Sequence, residues 1–298
     1  MRTLIITNSL DFTTDLIVNA LGSDKVIRIN YDRPKDWSIN INESDFSIKS
    51  STIQLTDNNI SKCNWRKPFI SDINLEPYTD PFYEQEWKYM LYEIANFFKA
   101  KNKLLFNFPI PDYIAGKIYQ QRIALKFFKT SPINASINKK INTSTPLIIK
   151  SLSAEPMQNG KVLYTTDVTN LELDDNFWFS QQKVESQFDV TTVFINGKLF
   201  SYELDRSKLK GIDWRKDQFN VAKEWRKIDL DKKNENSIID FMNEIGYTYG
   251  RLDFLRNRKT SELIFLEVNK NGQWAWLDAQ KDNGLFTAMV EAYDPNNP

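Results

Sequence analysis

The last fifty residues constrain this chain most. Two apolar runs, YGRLDFL at 249–255 and ELIFLEV at 262–268, flank a polar turn centred near Lys259 and Thr260, so they are predicted to fold back as a hairpin. Pairing about residue 260 sets Asp253 opposite Glu267, and strand alternation puts Asn269 on the face of Glu267. Each acid lies inside an apolar strand, Asp253 between Leu252 and Phe254 and Glu267 between Leu266 and Val268. An isolated Asp/Glu pair is most simply an incidental polar pair on a solvated face. The set completed by Asn269 and Gly272 is more specific. Facing carboxylates repel unless a cation lies between them, and an all-oxygen set suits magnesium, which also takes phosphate oxygens.

The rest of the chain reads as α/β, with segregated α+β lobes. Residues 3–7 and 25–29 are predicted strands around a short helix at 15–21, a βαβ opening. A helix is expected over Asp80 to Ala100, and the first lobe ends near residue 105. A second helix after Pro111 carries a stripe through Ile118, Ile123, Leu125 and Phe127. Strands are expected at 146–150, 162–168, 179–184, 188–195 and 198–204, the last two joined by an Asn196-Gly197 hairpin turn. The final lobe has a helix at 236–245, the acidic hairpin, and a helix at 283–292.

Composition narrows the chemistry. With no histidine and one cysteine in 298 residues, Ser/His/Asp hydrolases, Cys/His enzymes and most zinc hydrolases are excluded. Lys plus Arg and Asp plus Glu are balanced at 39 each, so no global field recruits nucleic acid or an anionic membrane. Cys63 has no partner for an internal disulfide, and no apolar stretch has the length of a membrane helix or the form of a signal peptide. A cytoplasmic location is the expectation.

At this point the residues carry a resemblance. LDFL, then FLEVN and NGQWAWLD, resemble the metal-binding end of ATP-grasp ligases, and more closely of the graspetide (microviridin-type) peptide macrocyclases. VIRIN at 26–30, NWRKP at 64–68, GKIYQQRIA at 116–124, LIIK at 147–150 and GIDWRK at 211–216 match motifs of that family in order along the whole chain. The resemblance implies an ATP-grasp fold with a pre-ATP-grasp domain at 1–108, a central lobe at 109–185 and a C-terminal lobe at 186–298, with ATP between the last two.

The resemblance also implies roles. Lys117 and Lys150 contact the nucleotide, where a polyanion needs cations besides magnesium. The Ser151–Gly160 loop offers backbone N–H groups to the phosphates from Ser151, Ser153 and Gly160. Gln182 and Val184 lie at the adenine edge, and Glu185 or Asp189 near the ribose. Arg215 is the first choice for the γ-phosphate and the acyl phosphate, while Asp253, Glu267 and Asn269 hold two magnesium ions. The chain departs from the family at Thr191, where an arginine is usual. Arg206 is one replacement, and altered phosphate activation is the other reading.

The implied reaction transfers the ATP γ-phosphate to a carboxylate and lets a nucleophile displace it. The implied substrate is a ribosomal precursor peptide of leader plus core, whose Asp or Glu side chains become ω-esters or ω-amides with Ser, Thr or Lys. Trp65, Phe82, Tyr83, Trp87 and Tyr89 form an aromatic-rich region suited to a peptide groove, although such residues are more often core. Homodimers are common in that family. Two other readings stand: an ATP-grasp ligase joining a small carboxylic acid or amino acid to an amine, and a non-catalytic nucleotide-binding homologue, motivated by Thr191.

Overall fold

β1 (Arg2–Thr7) is buried from Thr3 onward, α1 (Phe12–Leu21) follows Asp11, and β2 (Val26–Asn30) pairs parallel with β1. The βαβ opening is therefore present in this computed structural model, which describes residues 1–67, 80–109, 115–137, 141–142, 145–152, 165–168, 172–173, 177–217, 221–260 and 262–297. β3 (Ser38–Ile41), β4 (Phe46–Lys49) and β5 (Gln54–Thr56) make a small antiparallel sheet, after which β6 (Ile60–Trp65) lies parallel to β1 in the order β2-β1-β6. α2 (Pro81–Ala100) starts at Asp80, whose carboxylate accepts the Phe82 N–H, with Pro81 in the first turn. Its buried face, Leu91, Ile94, Ala95 and Phe98, shares one core with Leu4, Ile6, Ile27, Ile29 and Trp65.

The chain divides into two units, residues 1–111 with 280–298, and residues 112–279. The lobes expected at 109–185 and 186–298 thus fall largely within one unit, but the last helix, Leu285–Tyr293, belongs to the first. Its end is held there by specific bonds. Thr3 Oγ1 donates to the Tyr293 carbonyl at 2.6 Å, Lys62 Nζ to the Ala292 carbonyl at 3.0 Å, and the Tyr293 hydroxyl to Asn64 Oδ1 at 3.0 Å. Thr3 and Lys62 thereby satisfy terminal carbonyls that the helix itself leaves unpaired.

In the second unit α3 (Lys117–Ala124) and β7 (Lys129–Thr130) precede β8 (Ile133–Ser136), β9 (Ile141–Asn142), β10 (Leu147–Ile149), β11 (Thr166–Val168), β12 (Glu172–Leu173) and β13 (Trp178–Gln182). They form an antiparallel sheet in the order β11-β10-β13-β8 and a separate β12-β9 pair. β14 (Ser186–Ile195), β15 (Lys198–Asp205), β16 (Arg226–Ile228), α4 (Lys232–Ile245), β17 (Tyr249–Asn257) and β18 (Leu263–Asn269) follow. Their sheet has the order β16-β15-β14-β17-β18-β7, antiparallel except for the last pair. The β14–β15 turn uses Asn196 at φ 46° and Gly197 at φ 88°, the left-handed conformation that Asn-Gly tolerates best.

One face of this sheet packs on α4. Val190, Phe194, Leu252, Phe254, Phe265 and Val268 share a core with Ile238, Phe241 and Met242 of that helix. The alternate residues of the same strands, Thr191, Arg251, Asp253, Glu267 and Asn269, are thereby turned to the other face.

The stripe expected on α3 is corrected. Ile118 and Leu125 are exposed, whereas Gln120, Gln121, Ile123 and Ala124 are buried. The reason is the partner: α3 lies against β18, whose backbone polar groups need hydrogen bonds. Gln120 Oε1 accepts the Val268 N–H at 3.0 Å, and its Nε2 donates to the carbonyls of Val268 at 3.1 Å and Ala115 at 2.9 Å. Gln121 Nε2 donates to the Leu266 carbonyl at 2.7 Å. Two glutamines do for this strand what a neighbouring strand would do.

Candidate active site

Asp253 and Glu267 are register partners, as the turn position predicts. The route is indirect. Between Asp253 and Phe254 the register shifts, so that Phe254 faces Phe265 and Leu266 is the extra residue of a β-bulge. The bulge lets Phe265 and Val268 both face the core while Glu267 and Asn269 face away from it. Asn269 Nδ2 lies 3.3 Å from Asp253 Oδ2, so the three side chains converge.

Cations sit on both carboxylates. Lys117 Nζ is 3.4 Å from Glu267 Oε2 and donates to the Ser151 carbonyl at 2.8 Å, which brings the end of β10 to the acidic pair. The glutamine clamp on β18 is what sets the first residue of α3 beside Glu267. Arg251, two residues before Asp253 and so on its face, grips that carboxylate through Nε at 3.3 Å and Nη2 at 3.1 Å. Thr191 Oγ1 donates to Asp253 Oδ1 at 2.8 Å from the other neighbouring strand.

Arg251 is the residue that sequence reasoning missed. The signal was available: the i, i+2 spacing to Asp253 places both on one face of a strand. An arginine there reads by itself as a solvated charge, and only the fold shows it buried.

The other expected residues are placed as follows. Lys150 follows β10 and holds its ammonium over the Phe179 ring, 5.6 Å from the centroid. Gln182 ends β13, with its N–H given to the Pro132 carbonyl and its carbonyl accepting from Ser131 Oγ. The backbone N–H and carbonyl of Gln182 are thus used by the fold itself. Asp189 lies on β14. It is buried and its Oδ1 accepts from Arg206 Nη1 at 2.7 Å. Burial pushes its carboxyl up to about 6 despite the opposing pull of Arg206, with Asp253 and Asp213 adding to the rise. Arg206 is tied to Asp189 and the Ile212 carbonyl. The backbone of Arg215 lies in the turn Trp214–Asp217, while its side chain, and Ser153 with the remainder of the loop to Gly160, lie outside the described residues.

Of the aromatic region, Trp65 is core and the Trp87 indole donates to the Tyr31 carbonyl, whereas Phe82, Tyr83 and Tyr89 are exposed. Cys63 is fully buried, and burial pushes its thiol up, as expected of an inert core cysteine.

The donor set fits magnesium in kind. Two carboxylates and an amide oxygen are hard ligands, and they leave coordination positions to phosphate and water. Among the described residues no group of three or more His, Cys, Asp or Glu could hold a metal ion by itself. An open site of this sort suits a metal that arrives with a nucleotide. No helix among the described residues is long and apolar enough to cross a membrane.

The fold is that of ATP-grasp ligases. A Chryseobacterium gregarium RiPP-associated ATP-grasp ligase, solved with ADP and a leader and core peptide, matches with a TM-score of 0.81 over 100% of this chain and 98% of its own, at 18% identity. Macrocyclase MdnC of Microcystis aeruginosa MRC, bound with precursor peptide MdnA, has a TM-score of 0.78 over 98% of this chain and 99% of its own, at 20% identity. ATP-grasp ligase PsnB, solved with a phosphomimetic variant of a minimal precursor, Mg and ADP, has a TM-score of 0.70 at 10% identity, covering 98% and 97% of the two chains. No protein-family model matches the sequence, and no curated protein does. At these identities the likeness is one of fold.

Proposed function

We propose that this protein is an ATP-dependent ligase that phosphorylates a carboxylate and joins it to a nucleophile. The observation that carries the reading is the pairing of Asp253 with Glu267, flanked by Asn269 and Lys117, on the open face of an ATP-grasp sheet. Asp253, Glu267 and Asn269 would hold magnesium, in two ions, whose chemistry is to draw charge from the phosphoryl group in transfer. Asn269 would offer its Oδ1 after a half turn of its amide.

The chain's own cations then bind and orient the polyanion. Lys117, already at the Ser151 carbonyl, and Lys150, at the end of β10, supply two. Arg215 supplies the guanidinium for the transferred phosphate and for the acyl phosphate formed on the substrate carboxylate. Val184 and Glu185 offer backbone and carboxylate to the adenine and the ribose. Attack by a hydroxyl or amine on the acyl carbon expels inorganic phosphate and closes the ester or amide.

The substrate is a ribosomal precursor peptide, whose Asp or Glu side chains are linked to Ser, Thr or Lys as ω-esters or ω-amides. The binding of leader, core or precursor peptides by the similar ligases supports this reading. Incubation with ATP, magnesium and a Thr-, Ser-, Asp- and Glu-rich peptide encoded beside the gene tests it by mass. Each ring removes one water. An unchanged peptide mass with folded, nucleotide-binding protein would sink the macrocyclase assignment, and ATP turnover with free amino acids alone would favour a small-molecule ligase.

A further inference from the structure

Every acceptor position of Asp253 is taken. Thr191 Oγ1 at 2.8 Å and Arg251 Nε at 3.3 Å lie on Oδ1, and Arg251 Nη2 at 3.1 Å and Asn269 Nδ2 at 3.3 Å lie on Oδ2. A carboxylate has about four lone-pair sites. A metal ion therefore reaches Asp253 only as these donors withdraw. The half turn of the Asn269 amide frees one position on Oδ2, and Arg251, the only charged donor of the four, is the one a cation repels from the others.

The local charges make the same point. Arg251 with Asp253 and Lys117 with Glu267 leave the group balanced without a metal. Once divalent cations take the two carboxylates, both side-chain cations lose their counter-ions. Arg251 has its side chain 10% exposed and cannot shed its proton, so a displaced guanidinium needs another anion close by. The phosphates of a magnesium nucleotide are that anion, and their geometry accepts a guanidinium fork.

The surroundings hold the stem of Arg251 and leave its head to hydrogen bonds. A Cβ on Gly272 would lie 2.5 Å from Cβ of Arg251, so glycine alone allows the turn after Asn269 to cross it so closely. The Tyr249 hydroxyl donates to the Gly272 carbonyl at 2.6 Å and secures that turn. The head is held by Asp253 and by the Gln273 carbonyl, 3.1 Å from Nη1.

We propose that Arg251 is a phosphate-binding residue of this site, kept on Asp253 until metal displaces it onto the nucleotide phosphates. The proposal rests on the magnesium–nucleotide reading of the site. It assigns one side chain two successive partners, and it predicts that metal and nucleotide affinities respond in opposite senses to its removal.

The test uses the full chain, with manganese as the metal probe, followed by loss of the free-ion paramagnetic resonance signal, and ADP binding measured by calorimetry in saturating manganese. Arg251→Met keeps the stem and removes the guanidinium. Manganese alone is expected to bind several-fold more tightly, and ADP tenfold or more weakly. Arg251→Lys keeps the charge without the fork, so ADP is expected between the two and manganese near wild type. If the Met variant melts far below wild type, the Lys variant carries the test: weaker ADP with manganese retained. Unchanged ADP affinity, or metal and nucleotide affinities falling together, overturns the proposal. Failure of wild type to bind manganese–ADP at all would instead overturn the parent reading.

Discussion

Thr191 on β14 donates its hydroxyl to Oδ1 of Asp253 on β17 at 2.8 Å, directly across the strand pair. The residue at which the chain departs from the motif it resembles is thus bonded to a proposed metal ligand. Thr191→Val keeps shape and removes the donor. One acceptor position of Asp253 is thereby freed, a difference worth roughly 1 kcal/mol, so manganese should bind about fivefold more tightly with the fold intact. Calorimetry of the variant checks this, and unchanged affinity would mean that the hydroxyl only fills space.

Glu267 has Lys117 as its counter-ion and sits opposite Asp253. Glu267→Ala removes a proposed metal ligand that is only partly buried, so far-UV circular dichroism and the melting temperature should stay near wild type while ATP turnover disappears. Wild-type turnover in that variant would remove the metal-site reading.

Gln120 makes three hydrogen bonds that close the backbone of β18 at Val268 and the start of α3. Gln120→Leu is close in size but strips its partner from the Val268 N–H and from the Val268 and Ala115 carbonyls. Each costs about 1–3 kcal/mol, so urea unfolding should show a loss of at least roughly 3 kcal/mol. The variant should also weaken ADP binding, because α3 positions Lys117.

Two buried carboxylates should give pH dependences of opposite sign. Asp189 is pushed up to about 6 by burial, so the folded state holds its proton more tightly than the unfolded chain does, and stability is lost as pH rises from about 4 to 6. Asp11 is raised by burial but lowered overall by Arg66, Thr14, Lys67 and Thr7, so its contribution is present above the ordinary carboxylate value and lost as pH falls through the depressed one. Relative to wild type, Asp189→Asn should gain up to about 3 kcal/mol between pH 4 and 6 and then level off. Urea unfolding across that range measures it, and a flat difference would show that Asp189 titrates normally.

Much of the hairpin was legible because its information is local. Alternation, a polar turn and two acids within apolar strands are enough to pair Asp253 with Glu267 and to align Asn269. The arithmetic succeeded for a reason the sequence does not display: the ladder on the turn side is one residue out of step, and the bulge at Leu266 restores it. α3 misled because a helical stripe predicts burial against side chains, and here the helix meets a strand's backbone, which prefers Gln120 and Gln121 to Ile118.

The sequence by itself determined the βαβ opening, the acidic hairpin with its three aligned oxygen-bearing side chains, and the absence of imidazole chemistry, since each depends on residue type and short spacing. Only the tertiary structure decided which charges meet. Lys117 reaches Glu267 across about 150 residues of chain, Arg206 bonds to the buried Asp189, and Arg251 occupies the carboxylate that its spacing merely places on the same face. Electrostatic partners are set by distance and desolvation, and both arise only when distant segments pack.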